Sequence, residues 1–234
     1  MSKTKLLLVH GGWAGAWVWK PLLEPLRRRG IDAEAIERLP SVGDDPAALG
    51  DLDDDADHLR AAIDRIEMPV VLCGQSYGGM VITEVADHPG VIHSVYLAAL
   101  WPQRGQSVLD LFGDELPDWI LARDDGSMTL TGDAERARQA LCADFDPARW
   151  AEFHARMLAQ SQASASTPST APARSHPATY VICNRDEAVP VEAQEAWAAG
   201  ADHTVRLDTA HMPQLSAPEQ LADTLERIVT RYRY

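Results

Sequence analysis

The chain of 234 residues is long enough for one domain with a substantial core and room for an inserted sub-domain. Hydrophobic residues make up 46% and charged residues 24%, the balance of an ordinary soluble globular protein. The net charge of −14 repels phosphate backbones and anionic lipid, so neither nucleic acid nor a membrane surface is expected as a partner.

In chain order, "KLLLVH" (5–10) is an apolar strand and "WVWKPLLEPLRRRG" (17–30) a helix with a basic last turn and a glycine stop. "IDAEAIE" (31–37) alternates and reads as a second strand, followed by the loop "LPSVGDDPAALGD". "DDDADHLRAAIDRIE" (53–67) is a helix whose acidic start suits the helix dipole. "PVVLCG" (69–74) is an apolar strand, "YGGMVITEVADH" (77–88) a helix and "VIHSVYLAAL" (91–100) a fourth strand. Residues 101–176 break this rhythm: "SVLDLFGDEL", "DAERARQALCADF" and "PARWAEFHARMLAQ" are helical pieces, with no convincing strand among them. The closing "SQASASTPSTAPARSHP" has the composition of a flexible linker, or of the tail of an insertion. The rhythm then resumes with "ATYVICN" (178–184) as a strand, "PVEAQEAWAAG" (190–200) as a helix and "HTVRLD" (203–208) as a strand. "APEQLADTLERIVTRY" (217–232) is a closing amphipathic helix. Near-continuously apolar strands alternating with helices indicate an α/β fold: a mostly parallel sheet of about six strands covered on both faces. The expected division is a core of 1–100 and 177–234 with a helical insertion at 101–176.

Cys73, Cys142 and Cys183 lack metal-ligand spacing, and an odd count without CxxC argues against a disulfide framework. No metal and no organic cofactor is expected. "MSKTKLLLVH" has no signal-peptide h-region, and no apolar run reaches the roughly 18 residues of a membrane span. A cytoplasmic location is the expectation, and a homodimer is compatible with the sequence.

Chemistry concentrates at "CGQSYGGMV", a G-x-S-x-G pattern at Gly74–Gly78 between an apolar strand and a helix. A tight strand-to-helix turn holds such a serine in strained geometry, and small flanking residues let strand and helix approach. Ser76 is thus the candidate nucleophile. It needs a base. Of the eight histidines, His211 alone lies in a loop between the last strand and the last helix, at a strand's carboxyl end, where open α/β sheets bind ligands. His10, His58, His88, His93, His154, His176 and His203 sit at strand starts or ends, on helices, or in the insertion. The histidine needs an orienting carboxylate. Asp186 leaves the fifth strand before Glu187 and has the stiffer side chain, which favours it; Asp208 is the alternative. Glycines in "HGGWAGAW" let the backbone curl toward Ser76, so the N–H groups of Gly12 and Tyr77 are the candidate oxyanion hole.

Five pieces now resemble a known family: "LLLVHGGWAGAWVWKPLLEPL", "VVLCGQSYGGMV", "YLAALWP", "VICNRDEAVP" and "AHMPQLSAPEQLA". They are similar to α/β-hydrolases of the plant methylesterase and hydroxynitrile-lyase type and their bacterial relatives. The resemblance implies an α/β-hydrolase fold with a small helical cap over the nucleophile, the cap being 101–176. It also implies that lyases of the family carry a threonine where this chain has Gly11 and a lysine where it has Met212. A glycine has no hydroxyl and a methionine no charge to stabilise cyanide, which favours ester hydrolysis. Plant esterases of the family often have a histidine in place of Ala14.

The reading is a serine hydrolase acting on a small-molecule ester, hydrophobic or aromatic, through an acyl-serine. Trp13, Trp101, Leu109, Phe112, Trp119, Trp150 and Met212 are the candidate substrate contacts. Trp150, Phe153 and Met157 recur at helical spacing, the pattern of a core face as much as of a pocket. A lactonase, thioesterase or carbon–carbon hydrolase would use the same triad. A non-catalytic ligand receptor would not need to keep all three of Ser76, Asp186 and His211.

Overall fold

A computed structural model describes residues 4–113 and 115–232. The first half runs β1 (Lys5–Val9), α1 (Lys20–Arg28), β2 (Asp32–Ala35), β3 (Val42–Gly43), α2 (Leu52–Asp64), β4 (Val70–Gln75), α3 (Gly78–Glu84) and β5 (Val91–Leu97). Next come α4 (Val108–Phe112), β6 (Ile120–Ala122), β7 (Ser127–Leu130), α5 (Ala134–Cys142), α6 (Pro147–His154), β8 (Ala159–Ser161) and α7 (Gln162–Ser166). The chain closes with β9 (Ala178–Cys183), α8 (Val191–Ala198), β10 (His203–Leu207), α9 (Pro213–Ser216) and α10 (Pro218–Thr230).

Six strands form one parallel sheet in the order β10-β9-β5-β4-β1-β2. Burial explains why its members read so differently in sequence. Every residue of β4 and β9 is buried, which requires an unbroken apolar run, whereas the edge strands β2 and β10 have one wet face or more. Two residues beyond α1, Gly30 turns the chain with a φ of +69° that glycine adopts freely. α2 starts on a capping box in which Asp51 and Asp54 each accept from the other's backbone N–H. The switch in strand order falls between β1 and β4, so the loops after these two strands face each other across a crevice at the carboxyl edge.

Segment 101–176 is not wholly helical, contrary to the expectation. β6, β7 and β8 form an antiparallel sheet with β3 of the core, in the order β3-β8-β7-β6. A turn at Asp125-Gly126 closes the first hairpin: Gly126 has φ +82°, and Asp125 accepts from the N–H and hydroxyl of Ser127. The expected helix "SVLDLFGDEL" shrinks to α4, stopped by Gly113 in the left-handed conformation; Asp114 lies outside the described residues. The tail is not a free linker. The buried carboxylate of Glu84 accepts from the hydroxyls of Ser169 and Thr170 and from the N–H groups of Thr170 and Ala171. Arg174 then pairs with Asp202. Among the described residues no helix is long and apolar enough to cross a membrane.

Candidate active site

β4 turns into α3 through two residues, Ser76 and Tyr77. Ser76 has φ +55°, a left-handed backbone that costs a β-substituted residue roughly 1–2 kcal/mol. Three backbone bonds hold it there. Its N–H donates to Leu97 O at 3.2 Å, and its carbonyl accepts from Gly79 N–H at 2.9 Å and Leu100 N–H at 3.1 Å. The glycines around it are dictated by close approach. A Cβ at Gly74 would lie 2.4 Å from Gly78 O, and one at Gly79 would lie 2.2 Å from Leu100 O. Between residues 70 and 86, Ser76 is the one position that is not buried. Its Oγ takes part in no hydrogen bond among the described residues.

Behind it, the loops after β9 and β10 bring Asp186 and His211 together, both buried. His211 Nδ1 lies 2.7 Å from Asp186 Oδ2. The same carboxylate accepts from the N–H groups of Ala188 and Val189 and from Gln194 Nε2, each at 2.9 Å. A carboxylate so fully occupied as acceptor takes a proton donor from the imidazole, which sets Nδ1–H and leaves Nε2 as the acceptor. That acceptor meets Gln75 Nε2 at 3.0 Å, and the same amide donates to His211 O at 3.1 Å. Glu187 instead accepts from Gln139, and Asp208 pairs with Arg185 at the surface.

Facing the turn that carries Ser76, the loop after β1 presents Gly12. Neither Gly12 N–H nor Tyr77 N–H has a hydrogen-bond partner among the described residues, and both residues line the cavity beside Ser76. His10 holds this loop: its Nδ1 donates to Gly11 O and its Nε2 accepts from Leu39 N–H. Burial pushes its pKa down to about 4, consistent with a neutral ring in both roles. The Tyr77 hydroxyl donates to buried Asp55 at 2.7 Å, and Asp55 also accepts from Ser41 N–H at 2.8 Å. Burial raises the Asp55 carboxyl to about 6, opposed by those hydrogen bonds. Nothing in "DDDADH" distinguishes Asp55 from its surface neighbours except its helical phase.

The cavity contains about 450 Å³ of empty space including its mouth. Of the candidate contacts, Trp13, Phe112 and Trp119 line it, and Trp13 meets Trp119 edge-on at 5.7 Å. Trp101, Leu109, Trp150 and Met212 do not. Trp101 stacks on Tyr96 at 4.1 Å, Trp150 packs with Phe153 and His154, Leu109 lies against the core, and Met212 is buried beside Gln214. Asp186 and His211 also lie behind the cavity wall. Ala188 and Val189 line the cavity too, as does Gln160 of β8.

Residues 6–224 match the alpha/beta hydrolase family. The probable hydrolase R7 of Phoma sp. is 30% identical, with 96% of this chain and 98% of that protein covered. Methylesterase 1 of Arabidopsis thaliana is 26% identical, with 98% and 97% covered. A pyrethroid hydrolase from Sphingobium faniae JZ-2 superposes with a TM-score of 0.82 over 98% of both chains at 22% identity, a likeness of fold. The chain belongs to the alpha/beta hydrolase family.

Proposed function

We propose that this protein is a serine hydrolase that cleaves small, apolar or aromatic carboxylic esters through an acyl-serine intermediate. The observation that carries this reading is the meeting of a strained, accessible Ser76 with two unpaired backbone N–H groups on one cavity wall. The Asp186–His211 pair behind the Ser76 turn supplies the base. In the cycle, Ser76 Oγ attacks the ester carbonyl and His211 Nε2 takes its proton. The Gly12 and Tyr77 N–H groups receive the oxyanion, each donor worth about 3 kcal/mol when well aimed. His211 returns the proton to the departing alkoxide, and water attacks the acyl-serine by the same route. Asp186 keeps the proton on Nδ1 and stabilises the imidazolium.

The apolar lining, with Trp13, Phe112 and Trp119, favours an apolar acyl or alcohol group. The relatives named as hydrolase and methylesterase agree with the reaction class. Lactones and thioesters present the same carbonyl to the same groups. A hydroxynitrile-lyase reading is opposed at two positions. A Cβ at Gly11 would lie 2.6 Å from Gln75 Oε1 and 2.9 Å from Ser76 Cβ, so a threonine does not fit there without movement. Met212 is buried and uncharged.

Hydrolysis of p-nitrophenyl esters from acetate to octanoate by wild type and Ser76→Ala tests the proposal. Turnover lost in the mutant, with an acylated Ser76 peptide trapped by rapid quench, supports it. Absence of turnover by folded wild type, or cyanide release from mandelonitrile, would overturn it.

A further inference from the structure

The cavity wall contains a polar atom that the reaction above does not use. Gln160, 3% exposed, lies on β8 between β3 and β7, so its backbone position is set by strands on both sides. Its Nε2 donates to Ser164 Oγ at 3.0 Å, and that hydroxyl spends its own proton on Ser161 O at 2.7 Å. Ser164 can therefore only accept from Gln160, which fixes which end of the amide faces it. The oxygen is left on the other side. Gln160 Oε1 is buried and has no hydrogen-bond partner among the described residues. It touches the loop proposed to hold the oxyanion: a Cβ at Gly12 would lie 2.3 Å from it. Around it the wall is largely apolar, and the Tyr77 hydroxyl is committed to Asp55.

A buried acceptor without a partner is costly, so a substrate group that comes to rest beside it is favoured when it is a donor. We infer that Gln160 is a specificity residue: Oε1 accepts a hydrogen bond from a hydroxyl or N–H carried next to the scissile carbonyl. This rests on the ester-hydrolase reading and narrows it, because Oε1 and Gly12 N–H are neighbours. The carbonyl oxygen on Gly12 then places the α-substituent of the acyl group within reach of the amide oxygen. The favoured substrates are esters of 2-hydroxy or 2-amino-type acids in place of plain arylacetates.

The test compares methyl mandelate, methyl α-methoxyphenylacetate and methyl phenylacetate by pH-stat. They share a ring and a leaving group and differ in having a donor, an acceptor only, or neither. Wild type is expected to prefer mandelate over the other two by at least about tenfold in kcat/KM. Gln160→Met, which keeps the chain length without the acceptor, is expected to bring the ratio to within about twofold while phenylacetate turnover survives. If that variant does not fold, Ser164→Ala serves: the freed amide can turn its nitrogen to the cavity, and the ratio shrinks. No preference in wild type, or a preference that survives these changes, overturns the proposal. Binding of the same esters to Ser76→Ala, read by tryptophan fluorescence, gives the discrimination independently of turnover. Equal binding there overturns it as well, whereas loss of all turnover with selective binding overturns only the hydrolase reading.

Discussion

The side-chain amide of Gln75 holds His211 at two points, Nε2 at 3.0 Å and the carbonyl oxygen at 3.1 Å. In the proposed mechanism the first bond occupies the lone pair that takes the Ser76 proton. The second fixes the loop that places the ring. On that mechanism, acylation requires the amide to give up Nε2 to Ser76. Replacing Gln75 with Met keeps the volume and removes both donors. The acylation burst should become faster by several-fold, because the base no longer has to be released. Stability should fall by about 1–3 kcal/mol, since the buried His211 carbonyl loses its donor. Stopped-flow bursts and urea midpoints check the two halves, and a slower burst with intact stability would refute the competition.

Strain at Ser76 makes a second prediction. Its φ of +55° is favourable for glycine and unfavourable for serine. Ser76→Gly should abolish turnover and raise stability by about 1 kcal/mol. Ser76→Ala keeps the Cβ and should leave stability nearly unchanged. Parallel urea melts of the three proteins decide this, and equal midpoints for Gly and Ala would mean the Ser76 turn stores no strain.

The neighbouring glycines should respond in the opposite sense. A Cβ at Gly79 would press to 2.2 Å from Leu100 O, a backbone atom that also belongs to the turn around Ser76. Gly79→Ala should cost about 3 kcal/mol or more, because neither partner is a flexible side chain. A midpoint within experimental error of wild type would show that the strand and helix can separate freely.

The sheet, and the placement of Ser76, Asp186 and His211 in loops at its carboxyl edge, are readable because burial on both faces forces unbroken apolar runs and because those loops interrupt them sharply. The strands of segment 101–176 are harder to see. β6, β7 and β8 have three or four residues each, too few for alternation to register, although Asp125-Gly126 was a usable hairpin signal. The Ser- and Thr-rich tail reads like linker because the carboxylate that anchors it, Glu84, lies 85 residues earlier than Ser169. An apolar side chain reads alike whether it lines a cavity or fills a core, so Trp13 and Trp119 could not be told from Trp101 and Trp150. The roles of Gln75 and Gln160 depend on where an amide points, which no spacing encodes.

That anchor can be tested on its own. Glu84 is buried, and its carboxylate collects donors from Ser169, Thr170 and Ala171. Glu84→Gln puts an NH₂ against donors and leaves them unsatisfied. Cleavage within 167–176 by a nonspecific protease should accelerate at least tenfold, and stability should drop by about 2–4 kcal/mol. An unchanged digestion pattern would mean the tail is held by Arg174 and the α7 contacts alone.

Stability should also depend on pH through three buried histidines. Burial lowers His10 and His176 to about 4 and His93 to about 3, against an ordinary 6.5. Between 6.5 and about 4 the unfolded chain binds protons that the folded chain refuses. Stability must therefore fall as pH falls through that window, levelling only where the folded rings also protonate. Asp55 acts the other way. Its folded carboxyl is raised to about 6 from 3.8, so the folded chain takes that proton first and acidification from 6 toward 3.8 favours folding. Three rings outweigh one carboxyl, and the net slope between pH 6.5 and 4.5 is a loss. Urea midpoints across this range should show it. Asp55→Asn, which removes the opposing group, should make the loss steeper, and His93→Gln should make it shallower. A profile for Asp55→Asn no steeper than wild type would mean that the carboxyl titrates alike in the folded and unfolded chains, and that burial beneath Tyr77 does not hold its proton.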